Sequence, residues 1–328
     1  MPKFLHNFFK WTLIIVAALL ITGISYEQYS CWSLEKNVRK GQTFVKVSGH
    51  ELHYVKKGKG NCTVVFESGL ASDHHNWTSV QDSVSKYAVT LSYDRSGMFL
   101  SEAGDTAKTN QSIANDLLQL LEKTNCPKPY IVVGHSIGAI YLRSFIASHQ
   151  KDIAGIVFVE AAHPLQMKKS TPEMLASFSQ PPEWAIATMV NTGLFRVALN
   201  FIQPFPEIPA THPFHHHFQD YFYKSYRAIL KEAENDSLNF QDAESYPAFG
   251  NIPLIVIKGD VAKWSDGIKD PKVRAQFHQL VFDLQNDFLN LSTNSKMVKA
   301  ERSGHVVQVH DSDLISKEII TLIRNPLQ

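Results

Sequence analysis

The chain has 328 residues, 44% hydrophobic and 19% charged, with a formal net charge of +1. That length suits one large α/β domain with an insertion or two modest domains, and the composition is that of a globular protein with a substantial core. The near-neutral balance excludes an electrostatic footprint for nucleic acid or for an acidic partner surface. The 15 histidines are the one unusual count.

Lys3 and Lys10 precede the uncharged run from Trp11 to Ile24. A positive start followed by an apolar stretch reads as an export signal, with the lysines left on the cytoplasmic side. Phe8 and Phe9 before the run, with Ser25 and Tyr26 after it, extend it towards the roughly 20 residues that span a bilayer. The first expectation is therefore an uncleaved, single-pass membrane anchor over residues 1–26, with the folded part on the extracytoplasmic side. Cleavage after the small-x-small triplet Gly23-Ile24-Ser25, giving a secreted protein, is a second reading. A buried helix of a soluble protein is a third.

Residues Thr43 to Lys57 alternate apolar and polar positions around Ser48-Gly49, the pattern of a hairpin. Cys62 to Gly69 and Ala88 to Gly97 are short buried strands, with helical spacing between them from about Asn76 to Lys86. Ser112 to Lys123 is an amphipathic helix with Ile113, Leu117, Leu118 and Leu121 on one face. Ile131 to Gly134 is a strand, Tyr141 to His149 a helix and Ile153 to Glu160 a further strand. From His163 to Gly250 no strand interrupts a stretch rich in Pro, aromatics and Met. Ile252 to Asp260 resumes the sheet, a helical stretch follows from Val273 to Leu291, Ser295 to Ala300 is the last strand, and Ser312 to Arg324 a closing helix. Strands alternating with helices imply a mainly parallel, doubly wound sheet. The core is expected over 43–162 and 251–328, with 163–250 as a helical cap inserted between two strands.

Within "IVVGHSIGAIY" a strand breaks at Gly134-His135-Ser136-Ile137-Gly138 and a helix begins. A sharp strand-to-helix turn holds a serine in a strained backbone conformation and exposes its hydroxyl, and small neighbours avoid collision there. Ser136 is the candidate nucleophile. A base is expected after the last strand, where His305 lies; His310, five residues on, falls at the start of the closing helix.

With these residues placed, the chain resembles the α/β-hydrolase fold superfamily from about Thr43 to Arg324. "ESGLASDHHNW", "SYDRSGMFLSE", "GHSIG", "VFVEAAHP" and "SGH" follow that family's order. The resemblance implies an eight-stranded sheet with the cap after the sixth strand. One departure is visible: Phe99 stands where the family's D-R-x-G-x-G-x-S loop has its second glycine. The family commonly places the triad acid three residues past Gly259, but that position is Ala262. Asp260 and Asp266 are nearby alternatives. "GIVFVEAAHP" is similar to the haloalkane dehalogenase pattern, in which a strand-end glutamate orients the histidine; this makes Glu160 the first candidate. An acid closing an apolar run is costly unless paired. The resemblance also assigns the oxyanion-hole amides to Leu70 and Ile137. Asp94 and Arg95 are expected to brace this region.

A serine at the elbow, where dehalogenases and epoxide hydrolases of the family carry aspartate, points to acyl transfer. The expectation is a serine hydrolase acting on a carboxylic ester or related, apolar acyl substrate, needing no metal or organic cofactor. Thioesterase, peptidase and acyltransferase activities share the triad, and a non-catalytic binding protein on the same scaffold is the alternative from another class. His212, His215, His216 and His217 lack a neighbouring Cys or paired acid, so no metal site is expected. In the family's strand order Cys62 and Cys126 lie near one end of neighbouring strands, and a disulfide between them and two small buried thiols are both open readings.

Overall fold

The computed structural model describes residues 3–104 and 107–324. Eight strands form one sheet: β1 (Phe44–Val47), β2 (His50–Lys57), β3 (Thr63–Glu67), β4 (Val89–Tyr93), β5 (Tyr130–His135), β6 (Ile153–Val159), β7 (Leu254–Lys258) and β8 (Ser295–Lys299), in the spatial order β1-β2-β4-β3-β5-β6-β7-β8. β2 runs antiparallel to both β1 and β4, and all other pairs are parallel. The hairpin turns at Ser48 and Gly49, both at positive φ (45° and 90°), the backbone of a tight two-residue turn.

The helices are α1 (Lys3–Asn37), α2 (Thr78–Val84), α3 (Asn110–Lys123), α4 (Gly138–His149), α5 (Gln166–Lys169), α6 (Pro172–Ala176), α7 (Glu183–Asn191), α8 (Leu194–Ala198), α9 (Pro213–Ser245), α10 (Pro271–Asp287), α11 (Val307–His310) and α12 (Ser312–Arg324). Every residue of β3, β4 and β5 is buried, as expected for strands covered on both faces. Leu91, Val132, Phe145 and Phe158 pack beneath one face, and Phe66, Val133, Val157 and Ile319 beneath the other. The register brings Glu67 beside Gly134, and His135 beside Val159. The carboxyl ends of β3, β5 and β6 therefore meet at one edge, where open parallel sheets place their ligand sites.

Between β6 and β7 the chain forms α5 to α9 with no strand. The 33-residue α9 presents Phe214, Phe218, Phe222 and Tyr226, spaced four apart, to an aromatic cluster shared with Met98 and Phe99 of the core. The Phe99 that departs from the family's loop pattern is thus part of the contact between core and cap. Its own N–H donates to Ser225 Oγ at 2.8 Å.

Helix α1 continues eleven residues past the apolar run, to Asn37. Its apolar part is uncovered, and the helix is long and apolar enough to cross a membrane. Its later turns dock on the cap. Gly23 lies so close to the turn after α7 that a Cβ there would stand 2.3 Å from the Thr192 carbonyl oxygen. Glu27 is buried against Arg196 in a bidentate pair at 2.8 and 2.9 Å. The anchor was expected over residues 1–26; the helix runs on to Asn37, and in that extension Glu27 meets Arg196, 169 positions away.

Of the two readings for Cys62 and Cys126, the structure has the free thiols. All three cysteines are free thiols. Cys62 packs with the cluster under one face of the sheet and Cys126 with the cluster under the other, where it meets the Thr124 hydroxyl at 3.3 Å. Two side chains on opposite faces cannot be bridged.

One buried ion network joins core to cap. Arg95 gives Nη1 to Glu67 (2.8 Å) and to the Ser68 carbonyl (2.6 Å). Its Nη2 reaches the Gly69 carbonyl (2.9 Å) and Glu232 of α9 (2.8 Å), and its Nε also binds Glu232 (2.9 Å). Burial pushes the Glu67 carboxyl up in pKa against the pull of Arg95, and the Tyr93 hydroxyl donates to it. Removing one partner strands a buried charge, at a cost of about 3–5 kcal/mol. Arg95→Met should therefore lower the unfolding free energy of the full-length protein by about that amount in a urea titration. Arg95→Lys should recover only part of it, because an ammonium cannot reproduce the fork.

Candidate active site

The elbow follows from local sterics. Ser136 has φ +53°, and the two glycines around it leave the space the turn needs. A Cβ on Gly134 would meet the Ala139 backbone at 3.0 Å, and one on Gly138 would meet the Glu67 and Ser68 carbonyl oxygens at 2.7 and 2.8 Å. Such approaches force the backbone to shift. The Ser136 N–H donates to the Val159 carbonyl, and the Ser136 carbonyl accepts from Ala139 and Ala162, so the turn is fixed from both sides.

His305 sits on the loop after β8 with its Nε2 3.1 Å from Ser136 Oγ. Its Nδ1 faces Glu160 Oε2 at 3.6 Å and has no other partner. That separation is longer than a hydrogen bond. Glu160 is buried at the end of β6 with φ +41°, and its Oε1 accepts the Gly259 N–H at 2.6 Å. The structure thus brings Ser136, His305 and Glu160 together. It does not bring the other acids. Asp260 is exposed and caps its own loop through the Ala262 N–H, and exposed Asp266 pairs with Arg274 at 3.6 Å. His310 is exposed at the end of α11.

Several residues that hold His305 escaped the sequence reading. The His305 N–H donates to Glu207 Oε2 (2.9 Å) from the cap, and its carbonyl accepts from His135 Nε2 (2.9 Å). Burial lowers the His135 pKa to about 3, so that ring stays neutral. The Trp264 indole lies against the His305 ring, with centroids 4.8 Å apart. Glu207 is 98 residues from its partner, and no local pattern marks such a contact.

Leu70 and Ile137 both line the cavity that opens above Ser136. No acceptor among the described residues takes the N–H of either. The loop carrying Leu70 is held by Arg95 through the Ser68 and Gly69 carbonyls, and by Asp94, whose Oδ1 accepts the His74 N–H at 3.1 Å. The cavity measures about 740 Å³. Its walls are largely apolar, with Met167, Leu175, Phe178, Leu230, Phe240 and Phe277 among them. Within the residues that line it, Trp264 Nε1, Gln285 Oε1 and Asp236 Oδ1 are shielded from solvent and have no partner among the described residues.

The chain matches the model of the alpha/beta hydrolase family over residues 64–317. An AB hydrolase superfamily protein of Gibberella zeae is 24% identical over 282 residues, covering 79% of this chain and 85% of that protein. An esterase from Thermogutta terrifontis superposes with a TM-score of 0.61 at 16% identity, over 86% of this chain and 98% of that one. An epoxide hydrolase from Bacillus megaterium gives 0.64 at 15% identity, over 86% of this chain and all of the other. The match spans both halves of the sheet and everything inserted between them, and on that ground the protein is a hydrolase belonging to the alpha/beta hydrolase family.

Proposed function

We propose that the protein is a serine hydrolase that cleaves a carboxylic ester, or a related acyl compound, through an acyl-enzyme. The observation that carries this reading is the 3.1 Å approach of His305 Nε2 to the hydroxyl of Ser136, on a backbone strained to φ +53°. His305 takes the hydroxyl proton, and Ser136 Oγ attacks the acyl carbonyl carbon. The carbonyl oxygen becomes an oxyanion facing the Leu70 and Ile137 N–H groups. His305 returns the proton to the departing alcohol as the tetrahedral centre collapses to the acyl-enzyme. Water, deprotonated by His305, then releases the carboxylic acid and regenerates the serine. Glu160 faces Nδ1 and stabilises the imidazolium formed in each half; its 3.6 Å separation closes when the ring is charged.

The substrate is mainly apolar, a reading supported by the apolar cavity wall. We further propose that α1 anchors the enzyme in a membrane, with the catalytic domain on the side opposite Lys3 and Lys10. Trp184, Leu194, Phe201 and Ile202 are exposed on the same part of the cap that touches Gly23, which suits a surface lying at the lipid headgroups.

A fluorophosphonate probe should label the wild type and not Ser136→Ala, and the variant should lose at least about 10⁴-fold in kcat on model esters. Glu160→Gln should lose roughly 10³–10⁴-fold while Asp260→Asn stays near wild type. Loss in Asp260→Asn with retention in Glu160→Gln would reverse the choice of acid.

Asp236 gives a pH dependence. Burial, and then the nearby Glu232 charge, raise its pKa to about 7. Between about pH 4 and pH 7 the folded chain holds this proton and the unfolded chain does not, so stability falls as pH rises through that window. Asp236→Asn removes the effect. Its stability advantage over wild type should be near zero at pH 4 and on the order of 2 kcal/mol at pH 8, after discounting for partial exposure, as read from denaturant midpoints.

A further inference from the structure

Beyond the active site, α9 lays His217 against the start of the loop that follows Leu70. Asp73 Oδ2 accepts from His75 Nδ1 at 2.8 Å and from His217 Nδ1. His74 completes the group, and one ligand atom from each of Asp73, His74, His75 and His217 lies within 4.8 Å of all the others. Asp73, His74 and His217 are buried, and His75 is half-buried.

We propose that these four residues form a structural zinc site that fastens the cap to the oxyanion loop. Two observations beyond proximity support it. His74 has its Nδ1 held by the buried carboxylate of Asp94 at 2.9 Å, which leaves Nε2 as its free ligand atom. A carboxylate bonded to the far nitrogen is the usual way a ligating imidazole is oriented. Phe99 stacks on His217 at 5.2 Å and 16°, giving the apolar cover that limits water at such sites.

The donor set selects the metal. Imidazole nitrogens with one carboxylate suit Zn²⁺ over Mg²⁺ or Ca²⁺, which take oxygen shells. Four protein ligands leave no open position, so the site holds structure and performs no chemistry. Ligand bonds of about 2.0–2.1 Å set tetrahedral neighbours about 3.3 Å apart, so the donors around Asp73 Oδ2 move out by less than 1 Å. Each imidazole ligates as the neutral ring, so the Nδ1 proton of His75 and of His217 moves to Nε2 of the same ring as the metal enters.

The test uses the full-length protein in detergent, stripped with a chelator and titrated with Zn²⁺ against a chromogenic competitor. One Zn²⁺ per chain is expected. Co²⁺ loading should give the visible bands of a tetrahedral site without a thiolate charge-transfer band. His75→Ala and His217→Ala should each lose more than about 100-fold in affinity, Asp94→Asn about 10–100-fold, and exposed His216→Ala nothing. Retention of no more zinc than an exposed histidine binds, by wild type with a native near-ultraviolet spectrum, overturns the site. So does an equal loss in His216→Ala. If His217→Ala fails to fold, the half-buried His75→Ala and the cobalt spectrum decide.

Discussion

A single buried guanidinium holds the working edge of this molecule together. Arg95 grips two carboxylates and two carbonyl oxygens at once, and these belong to the end of β3, the loop after it and the long cap helix α9. Three charges with one positive member are expensive to bury, and only the density of short, directed hydrogen bonds makes the arrangement tolerable. Hydrophobic packing of equal volume would hold core and cap together as firmly. It would not fix the direction of the Ser68 and Gly69 carbonyls, nor therefore that of the N–H groups that follow them.

The rest of the site is built from backbone strain placed where the sheet can bear it. Ser136 and Glu160 both adopt positive φ, one residue beyond the ends of adjacent strands β5 and β6. Each is fixed by a backbone bond to the next strand: Ser136 N–H to Val159, Glu160 N–H to Ile257. Strain of a few kcal/mol persists when flanking bonds over-determine it. His305 differs, because it rides on a loop and is steadied by side chains from three places: His135, Glu207 and Trp264.

What was legible in the sequence follows from range. The strands, the hairpin, the closing helix and the elbow at Ser136 declare themselves in consecutive residues, because periodicity and glycine spacing are local. Ser136 was read from the elbow pattern and His305 from its place after the last strand. Glu160 was reached by likeness and by the cost of ending an apolar run in an unpaired acid, and the rival Asp260 stays open until its exposure is known. The contacts of Glu207 with His305, Glu27 with Arg196 and His217 with Asp73 span 98, 169 and 144 positions, and no window of sequence contains both partners. The disulfide failed for a related reason. Adjacent strands were inferred correctly, but which face each cysteine takes depends on where the strand pairing begins.

The bond between Glu27 and Arg196 also bears on how molecules reach Ser136. The cap is tied to the sheet through Glu232 and to the stem of α1 through Arg196, at separate points along its length. Lifting the cap from the sheet would break the buried Arg95–Glu232 pair, at a cost of about 3–5 kcal/mol, and would carry the stem of α1 with it.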